Sequence, residues 1–127
     1  MSEQIKNFTG DFATAPPVAT TRTARIAELN DALRRSFNGG RVVLTPGLIA
    51  LPADARAGIL AAVQGVAACD PSDVPYSEHE FGAVEAWGVR AFWKIDAYDR
   101  DLRFASPEPA DPAVTVRVLT VMLDEEY

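Results

Sequence analysis

The stretch "EHEFGAVEAWGVRAFWKIDAYD", residues 78–99, constrains this chain more than any other. Two runs rich in β-branched and aromatic residues flank Trp87-Gly88, and glycine at the second position of a two-residue loop signals a β-hairpin. So short a loop fixes the register, because paired positions must then sum to 175. Glu85 falls opposite Arg90 as a cross-strand ion pair, Gly82 opposite Trp93, whose ring can cover the glycine, and His79 opposite Asp96. Alternation then sorts two faces. Val84, Ala86, Val89, Ala91, Trp93, Ile95 and Ala97 make the core face. His79, Phe81, Glu85, Arg90, Phe92, Lys94, Asp96 and Tyr98 make a second face that mixes aromatics with charges. That face is either half-covered by a helix or open for binding.

The hairpin needs helices to cover its core face, and the rest of the chain supplies them. Residues 1–20 hold Gly10, Pro16 and Pro17 without periodicity and read as a mobile tail, in which Phe8 and Phe12 stand at a spacing that suits a partner groove. From Thr21, Ile26, Leu29, Leu33 and Phe37 form a narrow helical stripe, with Arg22, Arg25, Glu28, Asp31, Arg34 and Arg35 around it. Asn38-Gly39-Gly40 stops that helix, "RVVLT" reads as a short strand, and Pro46-Gly47 turns it. A second helix is expected from about Pro52, with Ile59, Leu60, Val63, Val66 and Ala67 as its apolar stripe and Cys69 a small buried thiol at its end. "RDLRF" is read as a short strand and "SPEPADP" as a connector.

The last segment, "DPAVTVRVLTVMLDEEY", carries opposed signals. Its β-branched residues suggest a strand. Asp111 as N-cap, Pro112 in the first turn and the length of the run suggest a helix. The helix is the reading adopted, with Val114, Val118, Val121 and Met122 on one stripe, as the central packing element or a dimer interface. The expected architecture is a small single α+β domain over residues 21–127, an antiparallel-rich sheet around the hairpin at about 80–98 packed by about three helices.

Charge and composition limit the function classes. The net charge of −6 is uneven: residues 1–60 carry seven basic and five acidic side chains, residues 61–127 five and thirteen. An acidic C-terminal half argues against binding a phosphate backbone, whose affinity rests on Lys and Arg, and favours a basic patch on any protein partner. One cysteine excludes an internal disulfide framework and fits a reducing compartment. "MSEQIKNFTGDF" lacks the features of a signal peptide, and no apolar run approaches the roughly 20 residues of a membrane span. A cytoplasmic, membrane-free setting follows.

The chemistry-bearing residues are few. With one Cys and one His a zinc site lacks its usual ligands, so no metal or other cofactor is expected. Asp96, Asp99, Asp101, Glu78 and Glu80 match no calcium-loop spacing and read as solvated loop acids. No phosphate-binding loop, dinucleotide fingerprint or nucleophile elbow is present. His79 with Asp96 is the constellation that survives: a carboxylate beside imidazole fixes its tautomer and supports a general base, with Ser77, Ser72, Tyr98 or Cys69 as nucleophile. The competing reading is a structural clasp pinning the loop to the hairpin.

"GGRVVLTPG", "DVPYSEHEFGAVE", "FWKIDAYDRDL" and "SPEPADPAVTVRVLTVMLDEEY" resemble an uncharacterised bacterial family, domain of unknown function 3768, from about Thr21 to Tyr127. The resemblance implies a setting on plasmids and other mobile DNA of alphaproteobacteria. The family carries Gly where Ser77 stands, Asp where Glu80 stands and an aromatic where Ala97 stands, and it lends no residue a role. The leading expectation is therefore a non-enzymatic interaction module, binding a protein partner through Phe81, Phe92, Lys94, Tyr98 and Glu78. A small hydrolase or metal-dependent enzyme using His79 and Asp96 is the first alternative. A homodimeric structural protein joined through the C-terminal helix is the second.

Overall fold

The computed structural model describes residues 18–65 and 78–127. The expectations for Phe8 and Phe12, for Val66, Ala67 and Cys69, and for Ser72 and Ser77 lie outside the described residues. Helix α1 (Val18–Ser36) begins three residues earlier than expected, within the segment read as tail. Strand β1 (Arg41–Leu44), the one-turn helix α2 (Pro46–Ile49) and helix α3 (Ala53–Gly65) follow. Strands β2 (Phe81–Ala86), β3 (Val89–Tyr98) and β4 (Val116–Leu123) complete the order, with 3₁₀ turns at Pro112–Val114 and Asp124–Glu126.

The hairpin forms as its sequence dictates. Phe81 pairs with Lys94, Gly82 with Trp93 and Glu85 with Arg90, each summing to 175. Trp87 and Gly88 both take positive φ, +56° and +73°, the signature of a type I′ turn. The indole of Trp93 covers Gly82 so closely that a Cβ there would lie 2.6 Å from the ring. The four strands form one sheet in the order β1-β4-β3-β2, mixed because β1 runs parallel to β4. The fold is α+β, and the sheet is antiparallel-rich as expected, with the β1–β4 pair as its one parallel ladder.

The C-terminal segment is a correction. Residues 116–123 are strand, hydrogen-bonded to β1 on one side and β3 on the other. The cap signal that favoured a helix is used, but for a single 3₁₀ turn: the Asp111 carboxylate accepts the Ala113 N–H at 2.9 Å. Beyond it "VTVRVLTV" alternates, and its β-branched side chains fit an inner strand covered by neighbours on both edges. A dimer through a C-terminal helix loses the element it needed. "RDLRF" is no strand either: it is a tight loop closed by one bridge, Tyr98 to Ala105, in which Asp99 Oδ1 accepts the N–H groups of Asp101 and Arg103.

All three helices pack on one face of the sheet. Leu33, Leu48, Ile59 and Val63 meet Val84, Ala91, Trp93, Ile95, Leu119 and Val121 in a single core. Ile26 and Leu33 of the predicted stripe are buried, but Asn30 and Arg34 lie among them, at 4% and 0% exposure. Arg34, which helical periodicity places in the polar surround, is a core residue.

A clasp at the C-terminal end closes β4 against α2. Glu126 accepts the Thr45 hydroxyl at 2.6 Å, the Gly47 N–H at 2.9 Å and the Leu123 N–H at 3.0 Å. These bonds, the Thr45 one foremost, hold its carboxyl below the usual carboxylate range. The Arg22 guanidinium does the same for Glu108, gripping both its oxygens at 3.1 and 2.9 Å and tying the 106–111 connector to α1. A depressed folded-state pKa stabilises above the unfolded value and is lost as pH falls through the folded one. Thermal midpoints should thus fall as the pH drops below the ordinary carboxylate range. In a Glu108→Gln, Glu126→Gln protein that acid-side slope should flatten; an unchanged slope would refute the clasp's contribution.

Candidate functional site

His79 does not pair with Asp96. Its φ of +58° ends the extended backbone at Glu80, so strand alternation does not reach it. The imidazole turns to the helix layer, where Nδ1 lies 3.0 Å from Asp31 Oδ2 on α1. Asp96 pairs with Lys94 instead, at 3.1 Å on the opposite face. Sequence spacing gave the correct register and the wrong partner, because one left-handed residue sits between strand and loop.

Around His79 and Asp31 lies a polar seam. The Asn30 amide donates to the Glu78 carbonyl at 2.9 Å and accepts from Arg117 Nε at 2.7 Å. Arg117, 4% exposed, also donates to the Pro109 carbonyl, and burial, then the charge of Arg25, lowers its pKa. Arg34 donates to the Val63 carbonyl at 2.7 Å, sits 3.6 Å from Asp31 and lies 5.4 Å over the Trp93 ring. The seam joins α1, α3, the approach to β2, β3 and the connector before β4. Its hydrogen bonds tie one element to another, as a clasp does, while Asp31 Oδ1 is buried with no hydrogen-bond partner among the described residues. Two clefts of about 190 and 370 Å³ are present, one lined by Leu33, Thr115 and the seam's own Arg117, the other by Leu51, Arg90 and Leu123. Neither brings His79 to its wall. The described residues hold no group of three His, Cys, Asp or Glu able to bind a metal ion.

The other face of the sheet carries the remaining candidates. Register places Phe81, Ala83 and Glu85 of β2, Arg90, Phe92, Lys94, Asp96 and Tyr98 of β3, Val118, Thr120 and Met122 of β4, and Arg41 and Val43 of β1 on the side away from the helices. Phe81, Phe92 and Tyr127 make a triangle of rings with centroids 5.3–5.4 Å apart, tilted or edge-on, the geometry that aromatic quadrupoles favour. Tyr127, which residue pattern alone did not mark, is 76% exposed and Phe81 39%. It reaches the triangle because the Glu126 clasp sets the chain's direction just before it.

Charges border the rings. Arg90 lies 5.6 Å over Phe92 rather than in an ion pair with Glu85, so the cross-strand bridge expected from the register is replaced by a cation–π contact. Arg41, Arg90 and Lys94 stand against Glu85 and Asp96 on this face, so the surplus acid of the chain lies elsewhere. Glu78, expected at this surface, is half-buried and gives its carbonyl to Asn30.

Among the described residues no helix is long and apolar enough to cross a membrane. The family model described as "Protein of unknown function (DUF3768)" matches residues 44–126, about two thirds of the chain. No curated protein and no solved structure matches.

Proposed function

The chain belongs to the DUF3768 family, and from its geometry we propose that it is a non-enzymatic interaction module that binds a protein partner through the helix-free face of its sheet. The observation that carries this reading is the triangle of Phe81, Phe92 and Tyr127, raised on that face with Lys94 paired beside Phe81 and Tyr98 farther along β3 on the same side. Rigid aromatic anchors rimmed by charge are what hot spots are made of. The face holds three cations and two acids, so the complementary partner surface is mixed rather than basic. The likeness to a family common on mobile DNA supports an accessory role in the cytoplasm of a bacterial host, with a host factor as the partner. The single cysteine supports the same setting.

Affinity capture from the native host with the immobilised full chain tests this. Phe81→Ala combined with Phe92→Ala should weaken retention of the partner about 30-fold or more, as removal of a hot spot of about 2 kcal/mol does. His79→Ala, on the helix side, should retain it. Retention by the double variant would sink the proposal.

A further inference from the structure

The sheet has two edges, and they are built differently. The β1 edge is four residues long, opens with exposed Arg41 and is followed by Pro46, features that discourage another strand from adding. The β2 edge is six residues long, runs in unbroken register with β3 and contains no Pro, Lys or Arg. Its one charge, Glu85, makes no ion pair among the described residues, because the Arg90 guanidinium lies over Phe92.

The hydrogen-bonding direction along β2 follows from one contact. Ile95 N–H donates to the Glu80 carbonyl at 2.8 Å, which makes Glu80 and Ile95 a bonded pair. Bonded and non-bonded pairs alternate in an antiparallel ladder. Gly82, Val84 and Ala86 therefore aim their peptide groups at β3, while Phe81, Ala83 and Glu85 aim theirs outward. Among the described residues no strand pairs with that outer edge.

We propose that the outer edge of β2 receives an extended segment of the partner protein as a fifth strand, with Phe81 shared between this edge and the aromatic face. The proposal rests on the reading of that face as the partner site and names the form the partner takes there. Antiparallel addition is the stabler pairing. An antiparallel strand would set successive open-face side chains beside Glu85, then Ala83, then Phe81. A basic residue suits Glu85, a large apolar one fills the space above Ala83, and a third apolar one meets the Phe81 ring. The partner segment thus reads basic-x-apolar-x-apolar.

Panning a phage-displayed library of random decapeptides on the full chain tests this, followed by amide hydrogen exchange with the strongest peptide. The expected selection is the basic-x-apolar-x-apolar pattern. In the free chain the Ala83 and Glu85 amides should exchange at least tenfold faster than those of Gly82, Val84 and Ala86, and the peptide should slow them at least tenfold. Ala83→Pro, which removes an outward N–H and no bond to β3, should weaken binding tenfold or more. Glu85→Lys, an exposed substitution that leaves the ladder intact, should turn the selected basic residue acidic. Slow exchange of the Ala83 and Glu85 amides in the free chain overturns the proposal, since the edge is then already occupied. Peptides lost with Phe92→Ala but indifferent to Ala83→Pro, with the edge amides unprotected, overturn strand addition and leave the aromatic face standing. A library that yields no binder also overturns strand addition, while host capture judges the face independently.

Discussion

Trp93→Ala should lower the unfolding free energy by about 3–5 kcal/mol, the range for deleting a large buried aromatic, measured as a drop in urea midpoint at constant slope. The indole is 1% exposed and stands at the centre of the single core. It roofs Gly82 on the neighbouring strand and lies under the Arg34 guanidinium, so its loss opens a cavity against three elements at once. Domains of this size hold roughly 5–15 kcal/mol in total, and such a loss leaves the variant marginal. The contact with Gly82 gives a sharper form of the prediction. A Cβ at position 82 would sit 2.6 Å from the ring, so Gly82→Ala alone should be overpacked by about 1–3 kcal/mol. With the ring gone the same methyl meets space, and the double variant should be at least 1 kcal/mol more stable than the sum of the singles. Strict additivity would show that the two positions do not share the contact.

The hairpin was legible because its determinants are local. Two turn residues fix the register of six pairs, and glycine opposite tryptophan announces the roof over it. The C-terminal strand was not, because a genuine capping signal and a β-branched run overlap by a few residues. The cap acts at Asp111 and Ala113 and is spent within one turn. What decides residues 116–123 is a parallel partner, β1, some seventy residues earlier, and no local pattern reports that. Arg34 escapes the sequence for a related reason, as does the burial of Asn30 beside it: helical periodicity sees polar side chains as solvent-facing, and only the packed structure shows the carbonyls and carboxylate they meet.

The candidate site divides the same way. Alternation placed Phe81, Phe92, Lys94 and Tyr98 on one side of the sheet, and the sheet carries them there, away from the helices. Extending that alternation two residues further, to His79, failed at a single left-handed φ. Non-glycine residues adopt that conformation infrequently, and histidine is among those enriched in it. Tyr127 joined the aromatic cluster through the carboxylate of Glu126, a long-range tie between β4 and the loop at Thr45 and Gly47 that residue spacing does not encode.

Arg34→Ala should cost about 3–5 kcal/mol, as breaking a buried charged network by removing one partner does. The guanidinium is wholly buried, donates to the Val63 carbonyl near the end of α3, and sits 3.6 Å from Asp31. Truncation leaves that carbonyl without its donor and Asp31 with His79 as its remaining side-chain partner, and it strips the cation from the Trp93 face. Arg34→Met separates these losses. It keeps most of the apolar stem that fills the space between α1, α3 and Trp93, while both variants remove the cation beside Asp31, so the two differ chiefly in packing. Methionine should therefore recover half or more of the alanine loss in chemical denaturation. Equal losses for the two would mean the hydrogen bond to Val63 dominates and the stem contributes little. Losses below about 1 kcal/mol for both would refute the role of Arg34 as a tie between the helices. Because Arg34 lies on the helix side, folded Arg34→Met should capture the partner as the unmodified chain does, and a loss of capture there would mean that the helix layer, and not the aromatic face, makes the contact.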